Sequence, residues 1–465
     1  MPATPRRAGL AAAAALALSL PTRASAQNTD SFFFSDEAAM SAGAVTATTR
    51  DSGAIWYNPA GLGGLQRGQI DLSASAFGLR VRRVPRALTL SYPGGPQSLD
   101  ISTTSFISAP VAVGLSRHLS DTVTVGLGIY ATARDVVTTD AFWRGRQSVA
   151  LGGVDTPLQF HQRLEQDGDY SRYHVGPAIG WQAAPRLRVG LSVLGTYGVL
   201  ASFEQFVVEG QPTVEPPTYE PAYFLQSQVR AKLSYLGLQP QVGLQYEVSD
   251  RLRVGLLVRS PELLLTGTIR ASTVTAVRQP DPAGQPGPLL TQTGPVRRSY
   301  SFEFVQPPRV VLSVAWGHPK DGFVALEGDY QAPLKNDEVF VDRATVLNAR
   351  VGGLRHLGQR FSLGAGLFTE RATDRRLDRT TFLAERVDYY GATFGVQLRT
   401  PLALVKNPQE DALVLSTTVA LRYALGLGKV TGLTLDPIGG APEAYRAIDV
   451  VYHEFIPYLG SSTNF

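Results

Sequence analysis

Apolar and polar residues alternate along several stretches of the chain. In residues 123–129 every second residue is Val, Leu or Ile, and Thr or Gly lies between them. Residues 187–193, 252–258 and 413–425 repeat this pattern. A period of two places successive side chains on opposite faces of a strand. The pattern therefore predicts β-strands that have one apolar face and one largely polar face.

Short polar turns separate consecutive alternating runs, which is typical of tight β-hairpins. These turns lie at 120–121, 184–185, 249–250, 318–322 and 358–359. The other connections are long and are predicted to be loops, at 80–109, 133–171, 200–235 and 271–296. The pattern gives fourteen strands, an even number as in bacterial single-chain barrels. They are predicted near 69–79, 110–118, 122–132, 172–182, 186–199, 236–248, 251–269, 298–316, 323–332, 345–356, 360–371, 386–399, 412–426 and 446–458.

The apolar face could pack on a second sheet in a soluble sandwich, or face lipid in a membrane barrel. Strands of about ten residues match a tilted transmembrane strand, and short turns alternate with long connections as in outer-membrane barrels. Trp181, Tyr246 and Trp316 share the apolar face just before their turns, which indicates an aromatic girdle. We therefore predict an all-β fold, a transmembrane antiparallel β-barrel of about 14 strands, over residues 69–465.

The N-terminus has the layout of a secretory signal peptide. Arg6 and Arg7 precede a thirteen-residue apolar run at 8–20, and small residues at 24–26 form a cleavage site. The run spans only about 20 Å as a helix, less than a bilayer core of about 30 Å. We expect residues 1–26 to be cleaved and the mature monomer to reside among the lipids of a Gram-negative outer membrane.

Neither composition nor motifs indicate an enzyme. The chain has no Cys, which excludes thiol catalysis and Cys-based metal sites. Its six His residues lack metal-ligand spacing, and no phosphate-binding glycine motif occurs. The net charge of +4 is dispersed, so no basic patch indicates a nucleic-acid partner. We predict no catalytic residue, no metal and no cofactor.

Residues 27–68 do not alternate and are rich in small residues. Asn58, Pro59 and Ala60 predict a turn or a short helix, with Pro59 at its first position and Asn58 as its cap. A compact segment before a barrel of this size could lie inside the lumen as a plug.

Residues 43–66 resemble the N-terminal hatch of the FadL/TodX-type outer-membrane transporters, with its Asn-Pro-Ala motif at Asn58, Pro59 and Ala60. The hairpins at 241–270, 307–331 and 348–375 also resemble that family. The resemblance implies a hatch at 27–68 and a passive route for long-chain fatty acids or other hydrophobic small molecules. It implies capture at extracellular loops and sideways exit through a gap near a kink in the third strand.

The predicted third strand contains Gly126 and Gly128, which are candidates for this lateral opening. Glycine in a strand often marks a bend or a close approach. The same two residues could instead make room for the hatch, and the sequence does not separate the two interpretations.

Arginine residues on the predicted lumen face could bind a ligand carboxylate through two parallel hydrogen bonds. The candidates are Arg188, Arg253 and Arg259. The alternative is that the lumen charges pair with one another and hydrogen-bond to the plug, since charges within a membrane generally find partners.

The predicted loop 200–235 is unusually apolar, and its aromatic residues are candidates for capture of a greasy ligand. They are Phe203, Phe206, Tyr223 and Phe224, with Trp143 in the neighbouring loop. The alternative is that the two loops pack on each other.

Two functions remain open at this point: a transporter of hydrophobic molecules, and a non-transporting barrel that acts as a surface scaffold or secretion accessory.

Overall fold

The computed structural model describes most of the chain. The described residues are 33–65, 67–74, 78–92, 95–107, 111–151, 154–213, 223–278, 287–318, 320–339, 341–379, 382–402, 413–435 and 442–464. The predicted signal peptide at 1–26 lies outside them, as do residues 27–32.

Within the described part of the chain, helices occur only in residues 33–65, which we call the interior segment. They are α1 (Asp36–Met40), α2 (Ala54–Tyr57) and a 3-10 helix (Pro59–Gly64). Among the described residues, no helix has both the length and the apolar character needed to cross a membrane.

The rest of the described chain is almost entirely β-strand. The strands are β1 (Gln69–Ala74), β2 (Gly78–Tyr92), β3 (Gly95–Ile107), β4 (Val111–Ser120), β5 (Val123–Leu151), β6 (Val154–Ala184), β7 (Leu187–Pro212), β8 (Tyr223–Glu247), β9 (Leu252–Arg259), β10 (Glu262–Arg278), β11 (Leu290–Tyr300), β12 (Glu303–Gln306), β13 (Arg309–Trp316), β14 (Gly322–Gln331), β15 (Leu334–Asn336), β16 (Val341–Arg343), β17 (Val346–Leu357), β18 (Phe361–Glu370), β19 (Glu385–Leu402), β20 (Leu413–Leu435) and β21 (Pro442–Asn464).

The sheet closes into a barrel because β1, the first strand, pairs with β4 on one edge and with β21, the last strand, on the other. Neighbouring strands are antiparallel, apart from a short parallel contact between β2 and β20. The all-β barrel of the prediction is confirmed. Its count of about 14 strands is not, since the described residues form a 19-stranded sheet and a separate pair, β15 and β16.

The alternation read from the sequence does separate an outward face from an inward face. On β13, Val310, Leu312 and Val314 are exposed, whereas the residues between them are buried. Trp181, Tyr246 and Trp316 point outward with exposed fractions of 50%, 43% and 59%. Apolar side chains that remain this exposed around a closed sheet are typical of a surface that faces lipid.

The long loops of the prediction are wrong, because those segments largely belong to strands. β5 and β6 continue through 133–171, and β7 and β8 through most of 200–235. Strands β2 and β3 cover most of 80–109, while β10 and β11 enter 271–296 from both sides.

The physical reason is a change in the alternation rather than its loss. In residues 158–164, Leu158, Phe160 and Leu164 are buried and point inward, whereas Arg163 is exposed and points outward. Polar outward residues are stable where the sheet leaves the lipid and meets water. Alternation that keeps one apolar face outward therefore does not extend through these residues, although they continue the strands.

Candidate functional site

The interior segment packs against inward-facing side chains around the barrel. Helix α1 contacts β17 to β21, and the 3-10 helix contacts β5 to β8. Met40, Ile55 and Leu62 are completely buried. Side chains of this segment therefore contact strands on both sides of the barrel.

Asn58 fixes the turn at the centre of the interior segment. Its side-chain oxygen accepts a hydrogen bond from the backbone N–H of Ala60, and Pro59 occupies the first helical position. Its Nδ2 donates to the carbonyl oxygens of Thr46, at 2.8 Å, and of Leu244 on β8, at 3.1 Å. The local structure matches the predicted cap, and the same side chain also joins the segment to the wall.

Glycine residues on the inward face allow backbone and side-chain atoms of the interior segment to approach the wall. A Cβ added at these positions would lie within 3 Å of atoms of that segment. They include Gly114, Gly126, Gly180, Gly190, Gly243, Gly255, Gly352, Gly364, Gly366, Gly395 and Gly460. The sequence alone shows that a Gly recurs on the inward face of successive strands. It does not show that the interior segment lies against these glycines.

Inward charges pair with one another and with the interior segment. Arg188 donates to Glu247 at 2.6 Å, and Glu247 also pairs with Arg50 of the interior segment. Glu327 accepts from Arg350 at 2.9 Å and from the backbone N–H of Thr46 at 3.1 Å. These inward charges are therefore paired with one another and with residues of the interior segment.

Arg259 also contacts the interior segment. Its Nη2 donates to the carbonyl oxygen of Trp56 at 2.9 Å, its Nε donates to Gln241 at 2.8 Å, and its guanidinium lies 4.5 Å from the centre of the Trp56 ring. A cavity of about 30 Å³ adjoins it, lined also by Arg172, His174 and Arg309. Nε2 of His174, which is 1% exposed, has no hydrogen-bond partner among the described residues.

Arg253 differs from the other two candidate arginines. It is 5% exposed, and its Nε and Nη2 have no hydrogen-bond partner among the described residues. Its guanidinium lies 5.9 Å from the ring of Phe323. It therefore retains hydrogen-bonding capacity, but it lies close to the turn at 249–251 and distant from Arg259 on the same strand.

Gly126 and Gly128 lie on β5, where both edges of the strand are paired. Gly126 is opposite Ser116 of β4 and Ala178 of β6, and Gly128 has equivalent pairings on both sides. A Cβ at Gly126 would lie 2.8 Å from Cδ1 of Ile55, which belongs to the interior segment. A Cβ at Gly128 would overlap the ring of Tyr130.

The five aromatic candidates do not form one group. Trp143, Phe206 and Tyr223 are buried on the inward face, with 6.3 Å between the ring centres of Trp143 and Phe206. Phe203 and Phe224 are half-buried on the outward face. Phe203 and Phe206 are three residues apart on one strand, and an odd separation places two side chains on opposite faces.

Phe160 is not among the ligand-binding candidates predicted from the sequence, but it completes the inward set. It is fully buried, and its ring centre lies 6.0 Å from that of Tyr223. We call Trp143, Phe160, Phe206 and Tyr223 the aromatic cluster. His174 and Arg172 were also missed as members of the cavity beside Trp56, because residues distant in sequence meet there only after the barrel closes.

Two carboxyl groups at the start of α1 are buried. Burial, and then the nearby charge of Asp51, raise the pKa of Asp36 from 3.8 to about 6. The same two causes raise the pKa of Glu37 from 4.5 to about 7. Asp36 accepts hydrogen bonds at 3.1 Å from both Tyr458 and Gln397 of the wall, so its protonation state is coupled to the attachment of α1.

No family model matches the sequence, and no curated protein matches it. Solved structures match the fold, including a FadL homologue of Pseudomonas aeruginosa, with a TM-score of 0.59 over 94% of this chain and 99% of that chain, at 12% identity. The toluene transporter TodX of P. putida gives 0.53, over 93% and 99%, at 13% identity. The monoaromatic hydrocarbon channel CymD gives 0.52, over 92% and 97%, at 12% identity. The protein therefore has the fold of the FadL/TodX-type channels.

Proposed function

We propose that this protein is an outer-membrane channel for the passive uptake of long-chain fatty acids or other hydrophobic molecules. The observation that carries the proposal is the aromatic cluster, which lines the inward face beyond the lipid-facing part of the sheet. The interior of a water-filled pore is polar, whereas apolar interior surface suits a greasy ligand. The fold shared with FadL-type and toluene-transporting channels supports the same function.

In this proposal residues 27–68 form a hatch inside a barrel that spans 69–465, and residues 1–26 are a signal peptide removed on export. The hydrogen bonds of Asn58 and the charges around Arg50 and Thr46 support the hatch, because they attach residues 33–65 to the wall. We propose fourteen membrane-crossing strands; the antiparallel path β1, β4 to β9, β13, β14, β17 to β21 and back to β1 supports that number.

Sideways exit near Gly126 and Gly128 would require movement. Both backbone edges of β5 are paired at these residues, so a gap there requires pairings with β4 or β6 to separate. Because Ile55 packs against Gly126, displacement of the hatch would free the wall at the same point.

The ligand is tested by uptake of labelled oleate into cells that lack the gene and express variants. Phe206→Ala with Tyr223→Ala truncates the inward pair, and we expect uptake to fall at least fivefold. The matched control is Phe203→Ala with Phe224→Ala, on the same two strands but on the outward face, which should leave uptake near wild type. Wild-type uptake by cells without any copy of the gene would refute the transport function and favour the scaffold alternative.

A variant of the cavity beside Trp56 tests whether the ligand is a fatty acid or an uncharged hydrocarbon. Arg259, Arg309 and His174 line this cavity of about 30 Å³, and Arg309 also pairs with Asp329. We propose that the carboxylate of a fatty acid binds there beside Arg259. We expect Arg259→Met to lower oleate uptake more than toluene uptake, since toluene has no charge for the arginine to bind. Equal changes in both would indicate that Arg259 only holds the hatch through Trp56.

A further inference from the structure

The outward face of β8 is apolar over a defined length. Its outward residues from Tyr246 to Leu236 are all apolar: Tyr246, Leu244, Val242, Pro240, Leu238 and Leu236. Ten residues at about 3.3 Å each, tilted by about 40°, cover about 25 Å of height, which matches the apolar band of an outer-membrane barrel. The end at Leu236 is the end away from the short turns, and external connections lie on that side.

Aromatic residues mark this outer edge on the neighbouring strands. Leu236 lies opposite Tyr197 of β7, and Tyr197 lies opposite Tyr173 of β6. The two tyrosines point outward with exposed fractions of 47% and 39%. Tyr and Trp concentrate at membrane–water interfaces, so this row locates the upper boundary of the hydrocarbon.

A row of cations crosses the outward face just beyond that boundary. Lys232 of β8 lies opposite Arg270 of β10, and Arg270 lies opposite Arg297 of β11. All three are exposed. Lys232 is four residues beyond Leu236, about 13 Å along the strand and about 10 Å in height. The headgroup layer extends about 5–8 Å above the hydrocarbon, so the long side chain of Lys232 can reach down into it. We call these three residues the cation row.

The cation row is unfavourable by itself, because like charges directly opposite each other on adjacent strands repel. Among the described residues, Lys232, Arg270 and Arg297 form no salt bridge with a carboxylate. Asp169 stands at the far end of the same row, but Ala201 of β7 separates it from Lys232. An anion from outside the protein would remove this repulsion.

A groove beside the cation row offers space for such an anion. Its volume is about 1070 Å³, and Lys232, Arg270, Arg230, Phe203 and Ala201 are among its lining residues. The guanidinium of Arg230 lies 5.0 Å from the centre of the Phe203 ring, which orients a fourth cation along the groove. Glu165, Asp167 and Asp169 of β6 line the opposite side of the groove, so the positive charge and the aromatic ring are confined to its β7, β8 and β10 side.

We propose that the cation row binds the headgroup phosphates of a phosphorylated glycolipid in the outer leaflet. The proposal rests on the outer-membrane location proposed above. A lipid fits better than free phosphate, because its acyl chains would lie along Leu236 and Tyr197 while its phosphates reach Lys232 and Arg270. Arg and Lys near a membrane surface attract anionic lipids in this way.

The test compares the purified, detergent-solubilised full chain with a variant that carries Lys232→Ser, Arg270→Ser and Arg297→Ser. The control carries Arg186→Ser, Arg251→Ser and Arg360→Ser, the same charge change in exposed turns at the opposite end of the barrel. The probe is fluorescent lipopolysaccharide. We expect at least tenfold weaker binding for the cation-row variant and unchanged binding for the control.

Lipopolysaccharide whose phosphates have been removed should bind wild type as weakly as the intact lipid binds the variant. Equal binding of the intact lipid by wild type and the cation-row variant would overturn the proposal, as would full competition by millimolar inorganic phosphate. Folding of each variant is checked by the faster gel migration of unheated barrels. Oleate uptake should stay normal in the cation-row variant, so failure of lipid binding and failure of transport are separate results.

Discussion

Gly190 illustrates how a single residue of the wall sets the position of the interior segment. Its Cα faces the peptide between Pro59 and Ala60, and a Cβ at this position would overlap backbone atoms of both residues. A backbone cannot rotate away as a flexible side chain can, so the space of one methyl group decides whether the turn fits.

We therefore expect Gly190→Ala to dislodge the interior segment. Overpacking of this kind costs about 1–3 kcal/mol, and proteolysis of residues 33–65 in the purified barrel should become at least several-fold faster. The matched control is Gly328→Ala on β14, where a Cβ would meet nothing within 4 Å. Similar proteolysis of the two variants would show that the close approach at Gly190 is unimportant.

Helix α1 is attached to the wall by apolar packing at one end and by hydrogen bonds at the other. Helix α1 has only five residues, too few for an isolated helix to be stable in water. Its attachment depends on Met40 packing at one end and on Asp36 bonding to Tyr458 and Gln397 at the other. Asp36 and Glu37 are also near Asp51, so repulsion among carboxylates opposes the contact when all are ionised.

We expect the attachment of α1 to weaken as pH rises. The pKa of Asp36 is about 6 and that of Glu37 about 7, both above their ordinary values of 3.8 and 4.5. A carboxyl with a raised pKa in the folded state stabilises that state when protonated, so this contribution is lost as pH rises from about 4 to about 7. The detergent-solubilised protein should therefore unfold at a lower temperature at pH 8 than at pH 5.

Asp36→Asn with Glu37→Gln should reduce that difference between the two melting temperatures. The matched control neutralises Asp337 and Glu338, an exposed pair in the turn between β15 and β16, and should leave the difference unchanged. If both double variants respond to pH as wild type does, α1 is not the origin of the effect.

At the scale of the whole molecule, the outward face of one continuous sheet has an apolar part, suited to lipid, and a polar part, suited to water. Strands β6 and β8 have 31 and 25 residues, more than twice the roughly ten that cross a membrane. In the lower part the outward face is apolar and the inward face polar; beyond Tyr173 and Tyr197 the outward face becomes polar and the aromatic cluster lies inside. In the proposed outer-membrane location, the lipid boundary corresponds in the sequence to an exchange of the two faces.

This boundary predicts a depth dependence for charge on β8. Val242 points outward near the middle of the apolar band and is 56% exposed. We expect Val242→Arg to destabilise the barrel in phospholipid vesicles by about 2–4 kcal/mol, the cost of Arg at the bilayer midplane. Denaturant titration followed by tryptophan fluorescence measures the free energy of unfolding.

Gln228→Arg provides the comparison on the same face of the same strand. Position 228 lies beyond Leu236, outside the proposed band, so the substitution should change the free energy of unfolding by less than about 0.5 kcal/mol, as for ordinary surface positions. Equal costs at 228 and 242 would place the lipid boundary elsewhere.

The amino-acid sequence by itself determined the strands of the lower barrel, their outward residues and the cap at Asn58, because these depend on local rules. A period of two fixes the face of each side chain, and Asn before Pro fixes the start of a short helix. The prediction assumes that every strand keeps an apolar outward face along its whole length. It therefore assigns the extended parts of β5 to β8, whose outward face is polar, to loops.

Only the tertiary structure decided which inward residues meet. Arg259 contacts Trp56, Glu327 contacts Thr46, and Gly190 faces Pro59, each across more than a hundred residues of chain. The cation row likewise exists only because β10 pairs with both β8 and β11. Such contacts depend on the register and closure of the whole sheet. Alternation within one strand limits its register, but it does not identify which distant strand lies beside it.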